Sequence, residues 1–241
     1  MTLFSQTIID FWDSSFNGEI FYNDDYFCCI INPHLKESRR LMVLTTANGK
    51  VSAVMTPTIA TKLQLVKEQP ISEEIFRNKL KEIGILLHSA DHIFYFTEKE
   101  KEKVCTETAT KNIRQLTEQD VEVFSEFENS ASDQDLDDAY VELDHWAVFG
   151  SFAEERLACA SSMYPWSDNT KLADLGVLTL SQFRGQGHAR KVVRAISQYA
   201  YEKGYEPQYR CQLDNTASIS LAKACELTLF GQWEVISPDS P

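Results

Sequence analysis

The distribution of apolar and polar residues is most informative in the second half of the chain, where three different patterns follow one another. Leu172–Thr179 is apolar almost throughout and predicts a buried strand. Residues 181–187 are polar and glycine-containing, which predicts a tight loop. Apolar side chains then recur at helical spacing over residues 188–203 and predict a helix that ends at Gly204. A strand, a glycine loop and a helix are therefore expected in direct succession.

The same patterns predict the other elements of the second half. We expect strands at residues 112–116, 145–152, 157–164, 208–213, 227–230 and 232–236, and a turn at residues 165–169. Thr117 begins a capping-box sequence. The helix after it would place Val121, Phe124 and Phe127 in the core. Residues 130–138 are acidic and polar and predict a loop.

The first half predicts a smaller α+β arrangement. We expect a helix within residues 1–16, strands at residues 26–31, 40–46, 51–56 and 91–97, and a helix over residues 72–84. The pair Asn48-Gly49 between two of these strands indicates a hairpin. Ser72 is the expected N-cap of the helix. Its inward-facing side chains would be those of Ile75, Phe76, Leu80 and Ile83.

A charged run separates the two halves. Residues 98–104 alternate between Glu and Lys before ending on Val, which is typical of an exposed helix end or a linker. We therefore predict an N-terminal α+β domain of unknown role at residues 1–110 and a second domain at residues 111–241.

Composition limits the classes of function. The 241 residues are 43% hydrophobic, as in globular proteins, and carry a formal net charge of −13. Such an acidic chain disfavours nucleic acid and anionic membranes as partners. The N-terminus lacks the features of a secretion signal, and no apolar run is long enough to span a membrane. The six cysteines form no C-x-x-C pair, which indicates reduced core residues of a cytoplasmic protein.

The glycine loop is a candidate anion site. Gly185 and Gly187 allow the backbone to bend, and the start of the next helix attracts negative charge. No Asp or Glu occurs from residue 175 to residue 201, whereas Arg184, Arg190, Lys191 and Arg194 do. A basic helix face in solvent would carry the same charges. The glycines, the helix start and the charges together favour a bound anion.

The sequence of the loop indicates which class of anion it binds. It lacks the P-loop pattern, and Arg190 stands where a dinucleotide-binding loop needs its third glycine. Residues 184–189, Arg-Gly-Gln-Gly-His-Ala, fit [QR]-x-x-G-x-[GA] and resemble the acyl-CoA loop of the Gcn5-related N-acetyltransferase (GNAT) family. Asn215 and Ser218 are similar to the N-x-x-[SA] segment of that family. The resemblance covers roughly residues 112–236.

The resemblance implies a fold and a cofactor. The second half would be an α+β domain with a central mixed, mostly antiparallel sheet flanked by helices. The first half, whose elements occur in a similar order, could be interpreted as a degenerate copy of that domain. The cofactor would be acetyl-CoA. The implied cofactor-binding residues are Val177, Leu178, Thr179, Arg184, Gly185, Gln186, Gly187, His188, Ala189, Arg190, Asn215 and Ser218.

The resemblance also implies direct transfer of an acetyl group to a primary amine of a small molecule, amino acid or peptide. Asp174 is the candidate general base, although it could also be an ordinary carboxylate on a strand. Glu142, Asp144 or water are the other candidates for the base. The tyrosine that many members use as the acid is replaced by Ala222, which leaves Ser218, Cys211, Tyr164 or water. The other function considered is an acyl-CoA-binding sensor or interaction protein with little or no turnover.

The remaining expectations concern partners. The acceptor is an amine, and the resemblance allows a homodimer. No metal site is predicted, because His34, His88 and His92 lack the spacing of metal ligands.

Overall fold

A computed structural model describes residues 2–67, 69–108, 110–166 and 170–241, so residues 167–169 of the predicted turn lie outside the described part. The helices and strands, in chain order, are α1 (Gln6–Ser15), β1 (Glu19–Asn23), β2 (Phe27–Ile31), β3 (Leu41–Thr46), β4 (Val51–Met55), α2 (Pro57–Lys62), α3 (Glu73–Glu82), β5 (Asp91–Tyr95), α4 (Glu98–Thr106), β6 (Ile113–Leu116), α5 (Val121–Glu128), α6 (Asp133–Ala139), β7 (Ala147–Ala153), β8 (Arg156–Pro165), β9 (Leu172–Thr179), α7 (His188–Glu202), β10 (Glu206–Gln212), α8 (Thr216–Ala224) and β11 (Thr228–Val235). Within these described ranges, no helix combines the length and apolarity needed to cross a membrane.

The chain forms two compact units that alternate along the sequence. The N-terminal unit comprises Ile9–Ile93, Cys211–Asn215 and Leu229–Pro241. The C-terminal unit comprises the residues up to Ile8, together with Phe94–Arg210 and Thr216–Thr228. We predicted residues 1–110 and 111–241 as two domains, meaning parts of the chain that each fold independently. The compactness of the two units does not test independent folding, so the predicted domains remain a prediction.

The N-terminal unit contains strands in the order β1-β2-β4-β3-β11. The hairpin of β3 and β4 is confirmed and turns at Gly49, whose φ of +88° favours glycine. Strand β11 pairs with β3 from Gly231 opposite Thr46 to Val235 opposite Met42. The prediction of two separate strands in this region was therefore wrong. Gly231 lies inside this single strand and allows a close approach to β3, because a Cβ there would lie 2.5 Å from the Thr45 carbonyl oxygen.

The start and the buried side of helix α3 largely agree with the prediction from its local sequence. The Ser72 side chain accepts a hydrogen bond from the Ile75 backbone N–H at 3.2 Å, which confirms the N-cap. Phe76 and Leu80 are buried as predicted, but Ile75 is 46% exposed. The buried stripe of the helix begins at Phe76, because Ile75 lies in the first turn beside the cap. Two short elements, β1 and α2, had not been predicted.

The C-terminal unit is built on a sheet in the order β10-β9-β8-β7-β6. Strands β9 and β10 are parallel, and the other neighbours are antiparallel. Side chains of alternate residues point to opposite faces: Val148 packs in the cluster that contains Phe124 and Phe127 of α5, whereas Ser151 contacts His188 of α7. Helices thus cover both faces, which confirms the predicted fold class.

Three predictions for this unit were wrong in detail. Val121 is 54% exposed, because the core side of α5 carries Phe124 and Phe127. Within residues 130–138, α6 replaces the predicted loop, and the Ser132 side chain caps it by accepting the Asp135 backbone N–H at 3.2 Å. All six cysteines are free thiols and five are buried as expected, but Cys105 is exposed. The charged run at residues 98–104 is part of α4, whose N-cap is Thr97.

Gly176 of β9 lies directly beneath the end of α6. A Cβ at this position would be 2.0 Å from the Ala139 carbonyl oxygen and 3.0 Å from that of Tyr140. Because both obstacles are backbone, we expect Gly176→Ala to lower the free energy of unfolding by about 1–3 kcal/mol. Urea unfolding followed by circular dichroism measures it. Gly150→Ala on β7 is the matched control, since its Cβ would meet only leucine side chains. A larger loss in the control would contradict the assignment.

Candidate functional site

The glycine loop connects β9 to α7 on the surface of the C-terminal unit. After β9 the chain makes a short 3-10 turn, Ser181–Phe183, and then passes through residues 184–187. Gly185 has a φ of +77° and Gly187 a φ of +81°, values that only glycine adopts at little cost. Both glycines are exposed, and no atom outside the loop lies within 4 Å of where their Cβ atoms would be.

The backbone of this loop offers hydrogen-bond donors. Among the described residues, no protein acceptor is bonded to the backbone N–H groups of residues 185–189. The first bond of α7 runs from the Lys191 N–H to the Gly187 carbonyl at 3.3 Å. Unpaired N–H groups at a helix start, together with the helix dipole, form a site for a phosphate or carboxylate. The Gln186 side chain is not part of this set, because it donates to the Gln182 carbonyl at 3.1 Å.

His188 anchors the beginning of α7. Its side chain is buried, and its Nδ1 lies 2.8 Å from the Ser151 Oγ of β7. Burial lowers the pKa of His188, with a smaller contribution from Lys191. A neutral imidazole at this position keeps the loop fixed to the sheet and leaves only the backbone N–H of His188 for a ligand.

The arginines near the loop are paired with carboxylates that come from elsewhere in the chain. Arg184 donates to Asp135 of α6 at 2.8 Å. Buried Arg194 contacts Glu107 at 2.5 Å, and Arg190 donates to the Ala224 carbonyl at 2.7 Å. The absence of Asp and Glu from residues 175–201 therefore does not leave these arginines without carboxylates, since distant segments supply them. Arg184 and Arg190 stay predicted cofactor residues, and exposed Lys191 is a further cation at the helix start.

Strand β9 has one edge that is paired over only part of its length. It pairs with β8 from Ala173 to Thr179, but its pairing with β10 ends at Leu175 opposite Tyr209. The β9 backbone from Gly176 to Thr179 continues beyond that paired segment. An extended chain containing amides can bind such an edge as an added strand. This geometry supports the predicted role of Val177, Leu178 and Thr179 through their backbone groups.

Asp174 lies on the α6 side of the sheet in a dense polar network. It is 4% exposed, and Arg210 donates to its Oδ2 from Nε at 2.9 Å and from Nη2 at 2.5 Å. Gln208 donates to its Oδ1 at 3.1 Å, and the Tyr164 hydroxyl donates to its Oδ2 at 3.4 Å. Both carboxylate oxygens are therefore occupied by protein donors. Its role as general base stays a prediction, and these contacts favour a positioning role.

Tyr164 belongs to an aromatic cluster that the sequence did not reveal. Its ring centroid is 4.9 Å from that of His145 and 5.5 Å from that of Tyr140. Burial raises the pKa of Tyr164 to about 12, and Asp174 adds to the effect, so the phenol keeps its proton at neutral pH. No spacing rule identifies such a cluster, because its three rings come from the residue after α6, the segment before β7 and β8.

His145 brings the two rival carboxylates into this cluster. Ligand atoms of Glu142, Asp144 and His145 all lie within 4.8 Å of one another. Both carboxylates are exposed, and His145 Nδ1 lies 2.7 Å from the Ser162 Oγ. Two exposed acids beside a histidine are ordinary on a protein surface, so this group alone does not indicate a metal.

The second predicted segment opens α8. Asn215 precedes this helix, and its backbone N–H donates to the Gln212 carbonyl at 3.2 Å. Ser218 lies half-buried in the first turn of α8. Ala222, at the position of the missing tyrosine, is fully buried. Asn215 and Ser218 stay predicted cofactor residues, and Ser218 stays a candidate acid.

Comparison with known proteins places the site in a family. Residues 113–226 match the sequence model of the Acetyltransferase (GNAT) family. No curated protein matches the sequence.

Solved structures give a similar result. A GNAT-family acetyltransferase from Colwellia psychrerythraea aligns over 67% of this chain and 60% of its own, with a TM-score of 0.50 and 18% identity. One from Novosphingobium aromaticivorans aligns over 64% and 66%, with a TM-score of 0.46 and 15% identity. Aminoglycoside N-acetyltransferase AAC(6')-Iy in complex with CoA aligns over 47% and 88%, with a TM-score of 0.37 and 21% identity.

At these identities the Colwellia protein shows the fold alone, and the aligned part spans less than two thirds of the first two solved chains. The family match confirms the resemblance stated from the sequence and, with the fold, the expected architecture. Members of the family use acetyl-CoA, which confirms the cofactor expectation at the level of the family.

Proposed function

Because residues 113–226 form a GNAT acetyltransferase domain, we propose that this protein moves an acetyl group from acetyl-CoA directly to a primary amine of a small molecule, amino acid or peptide. The main support for the proposal is the exposed turn before α7, in which two glycines have a left-handed backbone conformation. This turn presents unpaired backbone N–H groups at the start of the helix. This is the chemistry that a diphosphate requires. The protein is proposed to be cytoplasmic.

The residues present fit the cofactor. The N–H groups of residues 185–189 would bind the diphosphate, and the free edge of β9 from Val177 to Thr179 would bind the amide-containing arm. Lys191 is an exposed cation at the same helix start. When bound, acetyl-CoA supplies a thioester that an amine can attack.

The chain also provides groups for the transfer itself. Tyr164 holds a proton at neutral pH and lies on the same face as Asp174, so it is a candidate donor to the departing sulfur. Ser218 is the alternative donor predicted from the sequence. The net charge of −13 and the exposed acids Glu142 and Asp144 favour an acceptor that arrives as a cationic ammonium.

Incubation with acetyl-CoA and a panel of amines tests the proposal. The panel contains a free amino acid, a diamine and a peptide with a free N-terminus. We expect acetyl-CoA to bind with a Kd of about 10–100 μM in calorimetry, and mass spectrometry to detect one acetylated amine with an equal amount of released thiol. NAD, which has a diphosphate but no pantetheine arm, is the control and should bind more weakly. Binding without any acetylated product would favour the sensor function, and absence of binding would contradict both.

A further inference from the structure

His145 lies on the α6 face of the sheet, close to the point along β9 where pairing with β10 ends. It hydrogen-bonds to Ser162, and Ser162 lies opposite Gly176 in the register of β8 and β9. The next residue after Gly176 is Val177, where the backbone proposed to bind the amide-containing arm begins. His145, Ser162, Tyr164 and Asp174 all lie on the α6 face, since positions 162 and 164 pair with 176 and 174.

The hydrogen bonds of Ser162 orient the imidazole. The Ser162 hydroxyl donates to the Tyr140 carbonyl at 3.5 Å and accepts the Glu142 backbone N–H at 3.4 Å. In this arrangement the serine oxygen can accept a proton from His145 Nδ1, and in that tautomer Nε2 carries the lone pair. The Nε2 atom lies 3.6 Å from a Glu142 carboxylate oxygen, which is too long for a hydrogen bond. In the tautomer with the proton on Nδ1, Nε2 thus faces the exposed acids without a hydrogen bond.

From these contacts we propose that His145 is the general base that takes a proton from the ammonium group of the acceptor. The inference rests on the proposed acetyl transfer. Rings of Tyr140 and Tyr164 flank the imidazole at centroid distances of 5.0 and 4.9 Å and fix its plane. Ser162 is the positioning residue, and Glu142 and Asp144 attract the ammonium.

The protonation state of His145 suits this role. Burial lowers the pKa of His145 below its ordinary value of 6.5, and Glu142 and Asp144 act weakly in the opposite direction. The other groups that face it are the phenols of Tyr140 and Tyr164 and, behind Tyr164, the Asp174–Arg210 pair. The imidazole is therefore neutral at pH 7 and able to accept a proton. Asp174, by contrast, has both oxygens engaged by protein donors.

The acceptor ammonium loses two protons during the transfer. One ammonium proton moves to His145 Nε2, and the neutral amine nitrogen forms a bond to the thioester carbon. The carbon–sulfur bond then breaks, and the sulfur receives the second proton that the nitrogen loses as the amide forms. The proton on Nε2 leaves to solvent past the exposed acids Glu142 and Asp144. No further reactant is needed.

Steady-state kinetics of His145→Gln and His145→Ala test the inference, with acetyl-CoA and the amine that the wild-type protein acetylates fastest. We expect kcat to fall about 100-fold or more in both variants, with the KM for acetyl-CoA unchanged. In the wild type, kcat/KM should fall as the pH drops through the lowered pKa of His145, because the protonated ring cannot act as a base. This acidic limb should disappear in both variants. Added imidazole should restore part of kcat in His145→Ala.

His92→Gln is the matched control, because burial also lowers the pKa of His92 and the residue lies in the N-terminal unit. It should keep the wild-type kcat and acidic limb. Retention of kcat, or of the acidic limb, in the His145 variants overturns the assignment while the acetyl transfer itself stands. If the wild-type protein binds acetyl-CoA and yields no acetylated amine, the proposed function and this inference fail together.

Discussion

Gly187→Val should weaken acetyl-CoA binding by at least about 100-fold, because two conditions for binding are lost together. Gly187 has a φ of +81°, and a β-branched residue in that region costs at least about 1–2 kcal/mol, so the loop moves away from this geometry. The N–H groups of residues 185–189 then no longer converge, and each lost hydrogen bond to a charged oxygen costs about 1.5–3 kcal/mol. Two such bonds correspond to about 100-fold or more in Kd.

A second glycine on the same helix provides the control for strain. Gly204 follows the other end of α7, has a φ of +76°, and would also place a Cβ in open space. Gly204→Val should therefore have similar backbone strain and an unchanged Kd. Calorimetry with acetyl-CoA measures both variants, and circular dichroism confirms their folding. Equal losses of affinity in the two variants would show that helix strain, rather than the loop, governs binding.

The strand, loop and helix around Gly187 could be predicted because short-range chemistry determines them. The observed bounds of β9 agree with the predicted strand, and α7 ends one residue before the predicted end. Glycines in the left-handed region mark the loop and the end of the helix. The cap at Ser72 and the capping box at Thr117 are local in the same sense and are confirmed.

Helix α6 has a local cap at Ser132, but its other stabilising contacts are distant in sequence, and it was not predicted. Its aspartates are poor helix formers, so the local composition indicates a loop. Asp135 is paired with Arg184, and the helix end packs on Gly176 of β9. Long-range pairing also changes the charge around the loop in a way that the local sequence does not show. The carboxylates absent from residues 175–201 are supplied by Asp135, Glu107 and Glu226.

The sequence predicted several residues of the candidate site, but it did not predict which groups each of them contacts. Asp174, Tyr164 and Glu142 were all named from the sequence as groups that could handle protons. Whether a carboxylate is free or engaged depends on the register between strands, which places Gln208 opposite Asp174 and brings Arg210 to the same face. His145 was missed because it lies before β7, whereas its neighbours Ser162 and Tyr164 lie on β8.

Arg210→Met should lower the free energy of unfolding by about 3 kcal/mol, because it leaves the Asp174 carboxylate buried without its cation. The side chain of Asp174 is 5% exposed and that of Arg210 is 25% exposed, so solvent replaces little of the lost interaction. Methionine keeps an apolar stem beside Trp166, over which the guanidinium lies at 4.6 Å. Urea unfolding followed by circular dichroism measures the change.

Two further variants separate the buried charge from the loss of an ion pair as such. Arg114→Met breaks a pair with Asp120 of similar length, 2.6 Å, but Arg114 is 48% exposed, so the loss should be no more than about 1 kcal/mol. In the double variant Arg210→Met/Asp174→Asn the uncompensated charge is absent, and most of the lost stability should return. If the double variant is as unstable as Arg210→Met, packing around Arg210, and not the charge of Asp174, determines the stability of this network.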